Sequence, residues 1–240
     1  MPLLELKNIH VHYSGVKALD GIDLHIDAQE IVALMGANGA GKSTILKTIF
    51  GLVQPDKGKI LLQEKEIHPV PEKMVHQGIA YIPQGRQIFT DLTIVENLEM
   101  GGYSITDSKL LRERMAQILD LFPFLKTKQK AVAGNLSGGQ QQQLALAIGL
   151  ITHPKILLLD EPTLGLSPKM VEEILSYIQQ IHHAFNTTIL VVEHNIQSLS
   201  AIVDRIYVLE QGTILTHGKP SDLHKQKIWN KVFLGEALSL

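Results

Sequence analysis

The chain has 240 residues, 45% of them hydrophobic, which is enough to bury a full core as one large α/β domain or two closely joined lobes. Its 22 basic residues nearly balance 24 acidic ones, which argues against nucleic acid as a partner, and the absence of cysteine excludes disulfides and thiolate metal sites. The sequence has neither the pattern of a signal peptide nor an apolar run of spanning length. We therefore expect a soluble chain that reaches a membrane only through a partner.

Short strand-like runs alternate with helical patterns, which predicts a mostly parallel sheet flanked by helices. Residues 3–13 and 22–26 alternate apolar and polar side chains, as in a half-exposed antiparallel edge region. An amphipathic helix is predicted around residues 111–122, and Ser137 is a suitable N-cap for another through residue 151. The remaining predicted elements are strands at 30–35, 59–62, 79–82, 156–159 and 188–192, helices at 42–50 and 169–183, and a hairpin of 206–209 with 213–217.

A phosphate-binding loop is predicted between the strand at 30–35 and the helix at 42–50. The segment matches the pattern G-x-x-x-x-G-K-[ST], in which glycines let backbone amides and a helix N-terminus face a phosphate. Lys42 is expected to reach the β- and γ-phosphates, and the Ser43 hydroxyl to take a Mg²⁺ position. The predicted nucleotide-binding residues here are Gly36, Ala37, Asn38, Gly39, Ala40, Gly41, Lys42, Ser43 and Thr44.

Polar side chains follow several of the predicted strands. Because parallel strands end at the same sheet edge, Asp160 and Glu161 are expected near the phosphate loop, with Asp160 holding Mg²⁺ and Glu161 acting on the attacking water. Gln84 is placed to bind Mg²⁺ or that water, and His194 to contact the γ-phosphate. Tyr13 is either a platform for adenine or an ordinary packed aromatic residue.

The sequence Leu-Ser-Gly-Gly-Gln at residues 136–140 lies, along the chain, between the phosphate-binding loop and the Asp160-Glu161 pair. If it lies on a helical insert away from the phosphate loop, it has no role toward nucleotide within one chain. Across a dimer, a capped helix N-terminus with glycine amides suits the γ-phosphate held by the opposite subunit. We therefore predict that Ser137, Gly138, Gly139 and Gln140 bind the partner's nucleotide.

The elements suggest a single domain with an inserted lobe. Residues 1–87 and 154–222 are expected to form the nucleotide-binding core, and residues 88–153 a helical signature subdomain. Residues 223–240 are expected to form a short C-terminal helix or tail. The expected fold class is therefore α/β, with a mostly parallel sheet, an antiparallel β edge region and an inserted helical subdomain.

About residues 3–235 resemble the ATP-binding subunits of ABC transporters, which implies a P-loop NTPase (RecA-like) core. Beyond the motifs above, the resemblance depends on residues 82–89 (IPQGRQIF), 92–98 (LTIVENL), 160–168 (DEPTLGLSP) and 232–235 (VFLG). Within that family the chain is most similar to the ATPases of branched-chain amino-acid importers and the related urea importers. Its C-terminal residues also resemble the ATPase of lipopolysaccharide export.

The resemblance implies ATP hydrolysis with ATP and Mg²⁺ as the bound species. It makes Tyr13 the adenine-stacking residue, Gln84 the Q-loop glutamine, Glu161 the catalytic carboxylate and His194 the switch histidine. It also implies two partners: a second ABC ATPase subunit, identical or paralogous, and integral membrane permease subunits contacted by residues around 86–97. The chain would then sit at the cytoplasmic face of the inner membrane through those partners.

Import of a small polar solute such as branched-chain amino acids is the leading interpretation. A urea importer, a lipopolysaccharide exporter and a soluble non-transport ABC ATPase remain alternatives, as does a subunit that uses ATP only to dimerise. Ile148 stands where the family usually has arginine, which puts in question how firmly the signature helix is anchored.

Overall fold

The computed structural model describes residues 1–193 and 199–223 of the chain. Its strands are β1 (Pro2–Tyr13), β2 (Val16–Asp27), β3 (Ile31–Gly36), β4 (Lys57–Leu62), β5 (Lys65–Ile67), β6 (Ile79–Ile82), β7 (Ile156–Asp160), β8 (Thr188–Val192), β9 (Arg205–Glu210) and β10 (Thr213–Gly218). Its helices are α1 (Lys42–Phe50), α2 (Pro71–His76), α3 (Ile94–Gly101), α4 (Ser108–Leu121), α5 (Pro123–Thr127), α6 (Gly138–Leu150), α7 (Pro168–Phe185) and α8 (Pro220–Leu223), with a 3₁₀ turn at Ala133–Asn135.

The central sheet has six strands in the order β10-β9-β3-β8-β7-β6. All neighbours pair in parallel except β10, which runs antiparallel to β9 as the predicted hairpin. Every residue of β3, β7 and β8 is buried, which explains their nearly continuous apolar sequences. The predicted mostly parallel sheet is confirmed.

A second sheet, with the order β2-β1-β4-β5, is antiparallel throughout and forms the predicted edge region. The buried residues of β1 and β2 alternate with exposed ones, so this sheet covers the core with one face. Buried side chains of both sheets and of α1 form one continuous hydrophobic cluster. This contact fixes the end of β1 beside the start of α1.

Between β6 and β7 the chain forms helices and the 3₁₀ turn, in agreement with the predicted helical insert. Met115, Ile118 and Leu119 are buried along α4, as the periodicity predicts. Pro123 begins α5 directly after α4 ends, because proline fits the first turn of a helix. These helices bury a second cluster, which continues under the parallel sheet.

None of the helices within the described ranges combines the length and hydrophobicity that a membrane span requires. Of the predicted C-terminal segment, residues 224–240 lie outside the described residues, whereas Leu223 is buried at the end of α8.

Candidate functional site

The phosphate-binding loop joins the buried end of β3 to the start of α1. Gly36 has φ 149°, and a Cβ there would lie 2.2 Å from the carbonyl oxygen of Leu209, so only glycine fits. Gly41 has φ 103° and caps α1 in the left-handed region. The loop is therefore held in one shape by the sheet beside it, with the N-terminus of α1 facing its interior.

Lys42 is the first residue of α1 and is only 5% exposed. Its Nζ donates hydrogen bonds to the carbonyl oxygens of Gly36 and Ala37, at 2.8 and 3.0 Å. Burial lowers the pKa of Lys42, while the negative charges of Glu161 and Asp160 act in the opposite direction. The ammonium group thus lies inside the loop, close to two carboxylates.

Asp160, the last residue of β7, is 4% exposed and lies where the sheet meets the phosphate loop. Its Oδ1 accepts a hydrogen bond from Ser43 Oγ at 2.8 Å, and its Oδ2 accepts one from Tyr81 Oη at 3.0 Å. The structure therefore brings together Ser43 and Asp160, both predicted as metal ligands. It also adds Tyr81, whose pKa is raised by burial and then by the charge of Asp160.

The sequence motifs did not predict Tyr81 as a site residue, although it is the second-last residue of β6. Its signal was the pairing of two parallel strands, since β6 and β7 are neighbours and Tyr81 pairs with Leu158. A polar side chain near the carboxyl end of one strand is then within reach of Asp160 on the next.

Glu161 follows β7 with φ 50°, a conformation that costs energy for a residue other than glycine. Its backbone N–H donates to the carbonyl oxygen of Val192 at 3.0 Å, which ties the turn to the end of β8. Its Oε2 accepts a hydrogen bond from Gln84 Nε2 at 2.9 Å. The predicted catalytic carboxylate and the predicted Q-loop glutamine are therefore in direct contact.

A cavity of about 270 Å³ opens between the phosphate loop and Glu161. Tyr13, at the end of β1, is 45% exposed and lines this cavity, so its ring is accessible to a ligand. A neighbouring cavity of about 520 Å³ contains Ser43, Gln84 and Asp160. The first cavity is lined by Tyr13, Ala18, Asn38, Gly39, Gly41, Lys42, Ser43, Thr44 and Glu161.

Ser137 caps α6, as the sequence predicted, and the structure shows that Gln140 completes a capping box with it. The backbone N–H of Ser137 donates to Gln140 Oε1 at 2.9 Å, and that of Gln140 donates to Ser137 Oγ at 3.4 Å. Gly138 and Gly139 form the first turn, and none of these residues lines either cavity of the phosphate site. Residues 137–140 therefore lie outside both cavities, and their action across a dimer stays a prediction. His194 lies outside the described residues.

Ile148, the residue that put the anchoring of α6 in question, packs against the neighbouring helix α3. Ile148 is half-buried against the helical cluster, and α3 approaches it closely. A Cβ at Gly101 would lie 2.8 Å from Ile148 Cγ2 and 2.9 Å from the Ile148 carbonyl oxygen. Gly101 therefore lets the two helices pack closely around the isoleucine.

The family model described as ABC transporter matches residues 19–164, more than half of the chain. The chain belongs to the ABC transporter family. It is an ATP-binding subunit of that family and an ATPase, as the motifs predicted. The match extends from Leu19 in β2, through the phosphate loop, Asp160 and Glu161, to Leu164.

This ABC subunit is similar over nearly its whole length to two curated relatives. It is 40% identical to the high-affinity branched-chain amino acid transport ATP-binding protein BraG of Pseudomonas aeruginosa, over 90% of this chain and 92% of that protein. It is 37% identical to the probable branched-chain amino acid transport ATP-binding protein LivF of Archaeoglobus fulgidus, over 97% and 99%.

Solved structures show the same fold. The ADP conformation of MJ1267, an ATP-binding cassette of an ABC transporter, matches with a TM-score of 0.88 and 27% identity, over 98% of this chain and all of that one. The dimeric post-hydrolysis state of the cassette MJ0796, bound to ADP and Pi, matches with a TM-score of 0.79 and 28% identity, over 90% and 98%. The predicted P-loop NTPase fold with its antiparallel edge region is confirmed.

Proposed function

We propose that this chain hydrolyses ATP in a site that two ABC ATPase subunits complete together, and that hydrolysis drives import of branched-chain amino acids through membrane permease subunits. The observation that carries the proposal is the meeting of phosphate loop, Asp160 and Glu161 at one edge of the sheet, with Ser43 Oγ 2.8 Å from Asp160. The signature residues at the start of α6 then supply the remaining contacts from the other subunit.

Mg²⁺ fits the oxygen atoms at this edge. Ser43 and Asp160 offer hard oxygen ligands beside the phosphate loop, as Mg²⁺ prefers, and Gln84 is a further oxygen donor nearby. The described residues contain no cluster of three or more acidic, histidine or cysteine side chains that would hold a metal alone. This suits an ion held jointly by a few protein oxygens and by nucleotide phosphates. When bound, Mg²⁺ neutralises phosphate charge.

Each residue has a distinct task toward ATP. Tyr13 supports the adenine ring, while the loop amides and Lys42 hold the β- and γ-phosphates. Glu161 orients a water molecule and accepts its proton as the water oxygen attacks the γ-phosphorus, and the bond to ADP breaks. Gln84 contacts Glu161 from the start of the helical segment, which suits it to report the state of the γ-phosphate to residues 88–153. His194 follows in the chain directly after Glu193 and contacts the γ-phosphate.

The helical residues 88–153 and the core residues 1–87 and 154–222 are proposed to act as two lobes. ATP binding closes a dimer in which Ser137, Gly138, Gly139 and Gln140 bind the opposite γ-phosphate, and hydrolysis opens it. Residues around 86–97 transmit this movement to the permease subunits, which hold the chain at the cytoplasmic face of the membrane. The dimeric structure of MJ0796 supports such a pairing, and the names of BraG and LivF support this solute.

The test of the hydrolytic site is Glu161→Gln, measured by light scattering with and without Mg·ATP. We expect ATP binding to persist, steady-state turnover to be nearly abolished, and the mass to double only with ATP. Glu172→Gln on the exposed face of α7 is the matched control and should retain wild-type turnover. Unchanged hydrolysis in Glu161→Gln would refute the catalytic role of Glu161, and a monomer in both states would refute a homodimeric site.

The solute is tested by uptake. Cells lacking this gene should lose accumulation of labelled leucine, isoleucine and valine and regain it with the wild-type chain but not with Glu161→Gln. Labelled urea is the parallel measurement. Loss of urea uptake with normal leucine uptake would replace the amino acids by urea as the solute.

A further inference from the structure

Among the described residues, the buried carboxylates are Asp160 and Glu193, and only Asp160 has a task in the mechanism above. Glu193 is 4% exposed and directly follows β8. Its backbone N–H points to the carbonyl oxygen of Leu34 on β3, at 3.4 Å. A buried carboxylate is costly unless strong hydrogen bonds compensate for its lost hydration, so its contacts indicate what it does.

Two of the hydrogen bonds of Glu193 come from the turn that carries Glu161. Glu193 Oε1 accepts hydrogen bonds from the backbone N–H of Thr163 at 2.8 Å and from the Thr163 hydroxyl at 2.6 Å. Thr163 is itself only 7% exposed. Short bonds from a hydroxyl to a carboxylate are roughly twice as strong as neutral ones. Glu193 therefore binds both the backbone and the side chain of Thr163.

The turn between these contacts is strained and is fixed at both ends. Glu161, with φ 50°, is held on its N-terminal side by the hydrogen bond to Val192 and is followed by Pro162. The N–H of Leu164 donates to the carbonyl oxygen of Glu161 at 3.1 Å, which closes a tight turn. A left-handed conformation at a glutamate persists only where surrounding contacts stabilise it. On the C-terminal side of the turn, the hydrogen bonds between Thr163 and Glu193 provide that stabilisation.

We propose that Glu193 and Thr163 are positioning residues for ATP hydrolysis, which hold the carboxylate of Glu161 in register with the segment that carries His194. This inference depends on the proposed function, because it assigns them no contact with ATP. Glu193 belongs to the chain segment that leads into His194, while Thr163 belongs to the turn of Glu161. One buried pair thus connects two segments that the mechanism requires to act on the same γ-phosphate.

The decisive variant is Thr163→Val, which removes the hydroxyl but keeps the backbone N–H and the branched shape of the side chain. We expect kcat to fall by about tenfold or more, because displacing a catalytic group by about 1 Å can lower the rate ~100-fold. KM for ATP should stay within about twofold, since the pair does not contact nucleotide. Thr163→Ser restores the hydroxyl and should recover most of kcat.

The matched control is Thr187→Val. Thr187 is fully buried, and its hydroxyl donates a hydrogen bond to the carbonyl oxygen of Pro154 at 3.2 Å, away from the turn. It should lose stability as Thr163→Val does, with kcat unchanged. Glu193→Gln weakens the same contact from the other side, so it should lower kcat, and the double variant with Thr163→Val should lose less than the two single effects combined.

These measurements separate the present inference from the proposed function. If Glu161→Gln retains turnover, the catalytic assignment itself is wrong. If Glu161→Gln is inactive while Thr163→Val keeps kcat within about twofold of wild type, only the positioning role is overturned. Equal losses in Thr163→Ser and Thr163→Val would overturn it as well, because the serine hydroxyl preserves the bond.

Discussion

Ser137→Ala separates the structural role of the signature motif from its role toward nucleotide. Among the described residues of one subunit, the Ser137 hydroxyl accepts one hydrogen bond, from the Gln140 N–H, and at 3.4 Å this bond is long. The other half of the capping box, from the Ser137 N–H to Gln140 Oε1 at 2.9 Å, survives the substitution. The stability cost should therefore lie at the low end of N-cap losses, about 0.5–1 kcal/mol. For a chain of this size that lowers Tm by roughly 1–4 °C.

The cost to dimerisation should be much larger. A hydrogen bond to a charged group contributes about 1.5–3 kcal/mol, which corresponds to roughly 10- to 150-fold in the dissociation constant. A homodimer contains the site twice within its one interface, so the loss applies to both sites. In the Glu161→Gln background, Ser137→Ala should therefore abolish the ATP-dependent doubling of mass at protein concentrations where the parent variant is fully dimeric.

Asp107→Ala is the control that makes the result interpretable. Asp107 caps α4 in the same helical segment between β6 and β7, and it accepts two hydrogen bonds, from the N–H groups of Lys109 and Leu110 at 2.8 and 3.3 Å. Its loss should lower Tm at least as much as Ser137→Ala and yet leave the ATP-dependent dimer intact. Equal effects of both substitutions on dimerisation would refute the reasoning, because the signature serine would then act only through helix stability.

Three further substitutions test other parts of the structure. Tyr81→Phe removes a hydrogen bond to Asp160, the proposed Mg²⁺ ligand, and should raise the Mg²⁺ concentration for half-maximal hydrolysis about 5- to 10-fold. An unchanged Mg²⁺ titration would show that Tyr81 has no such role. Arg205 donates hydrogen bonds to Glu30 from Nε to Oε1 at 2.8 Å and from Nη2 to Oε2 at 2.5 Å. Arg205→Met leaves Glu30 without this partner and should lower the free energy of unfolding by about 2 kcal/mol, which corresponds to a fall in Tm of roughly 4–8 °C. Ile148→Arg should lower Tm because it replaces a side chain packed between α6 and α3. A higher Tm would mean that isoleucine weakens the helix anchor.

The elements with local signals were predicted almost to the residue. Helix α1 begins at Lys42 and ends before Gly51, because the phosphate-loop glycines precede it and a left-handed glycine follows it. Helix α6 begins after Ser137 because the cap and its partner lie within four residues. In such cases the residues that decide the boundary are neighbours in the chain, so no tertiary information is needed.

Elements stabilised by a distant partner were shortened or missed. Strand β2 begins at Val16, six residues earlier than predicted, because its first half owes its conformation to pairing with β1 across several register shifts. Strand β5 has only three residues and pairs with β4 alone. Helix α3 is an exception to this division, because it was missed although its capping box of Thr93 and Glu96 is a local signal.

The contacts of the site follow the same division. That Ser43 and Asp160 meet was predictable, because any parallel sheet brings strand ends to one edge. Which ends are neighbours depends on strand order, and here β8 lies between β3 and β7. This order places Glu193 beside the turn after β7, so the residue that precedes His194 in the chain becomes the hydrogen-bond partner of Thr163 in the turn that follows Glu161. The spacing of the motifs along the chain does not predict this contact. It follows from the order of the buried strands β3, β8 and β7 in the sheet.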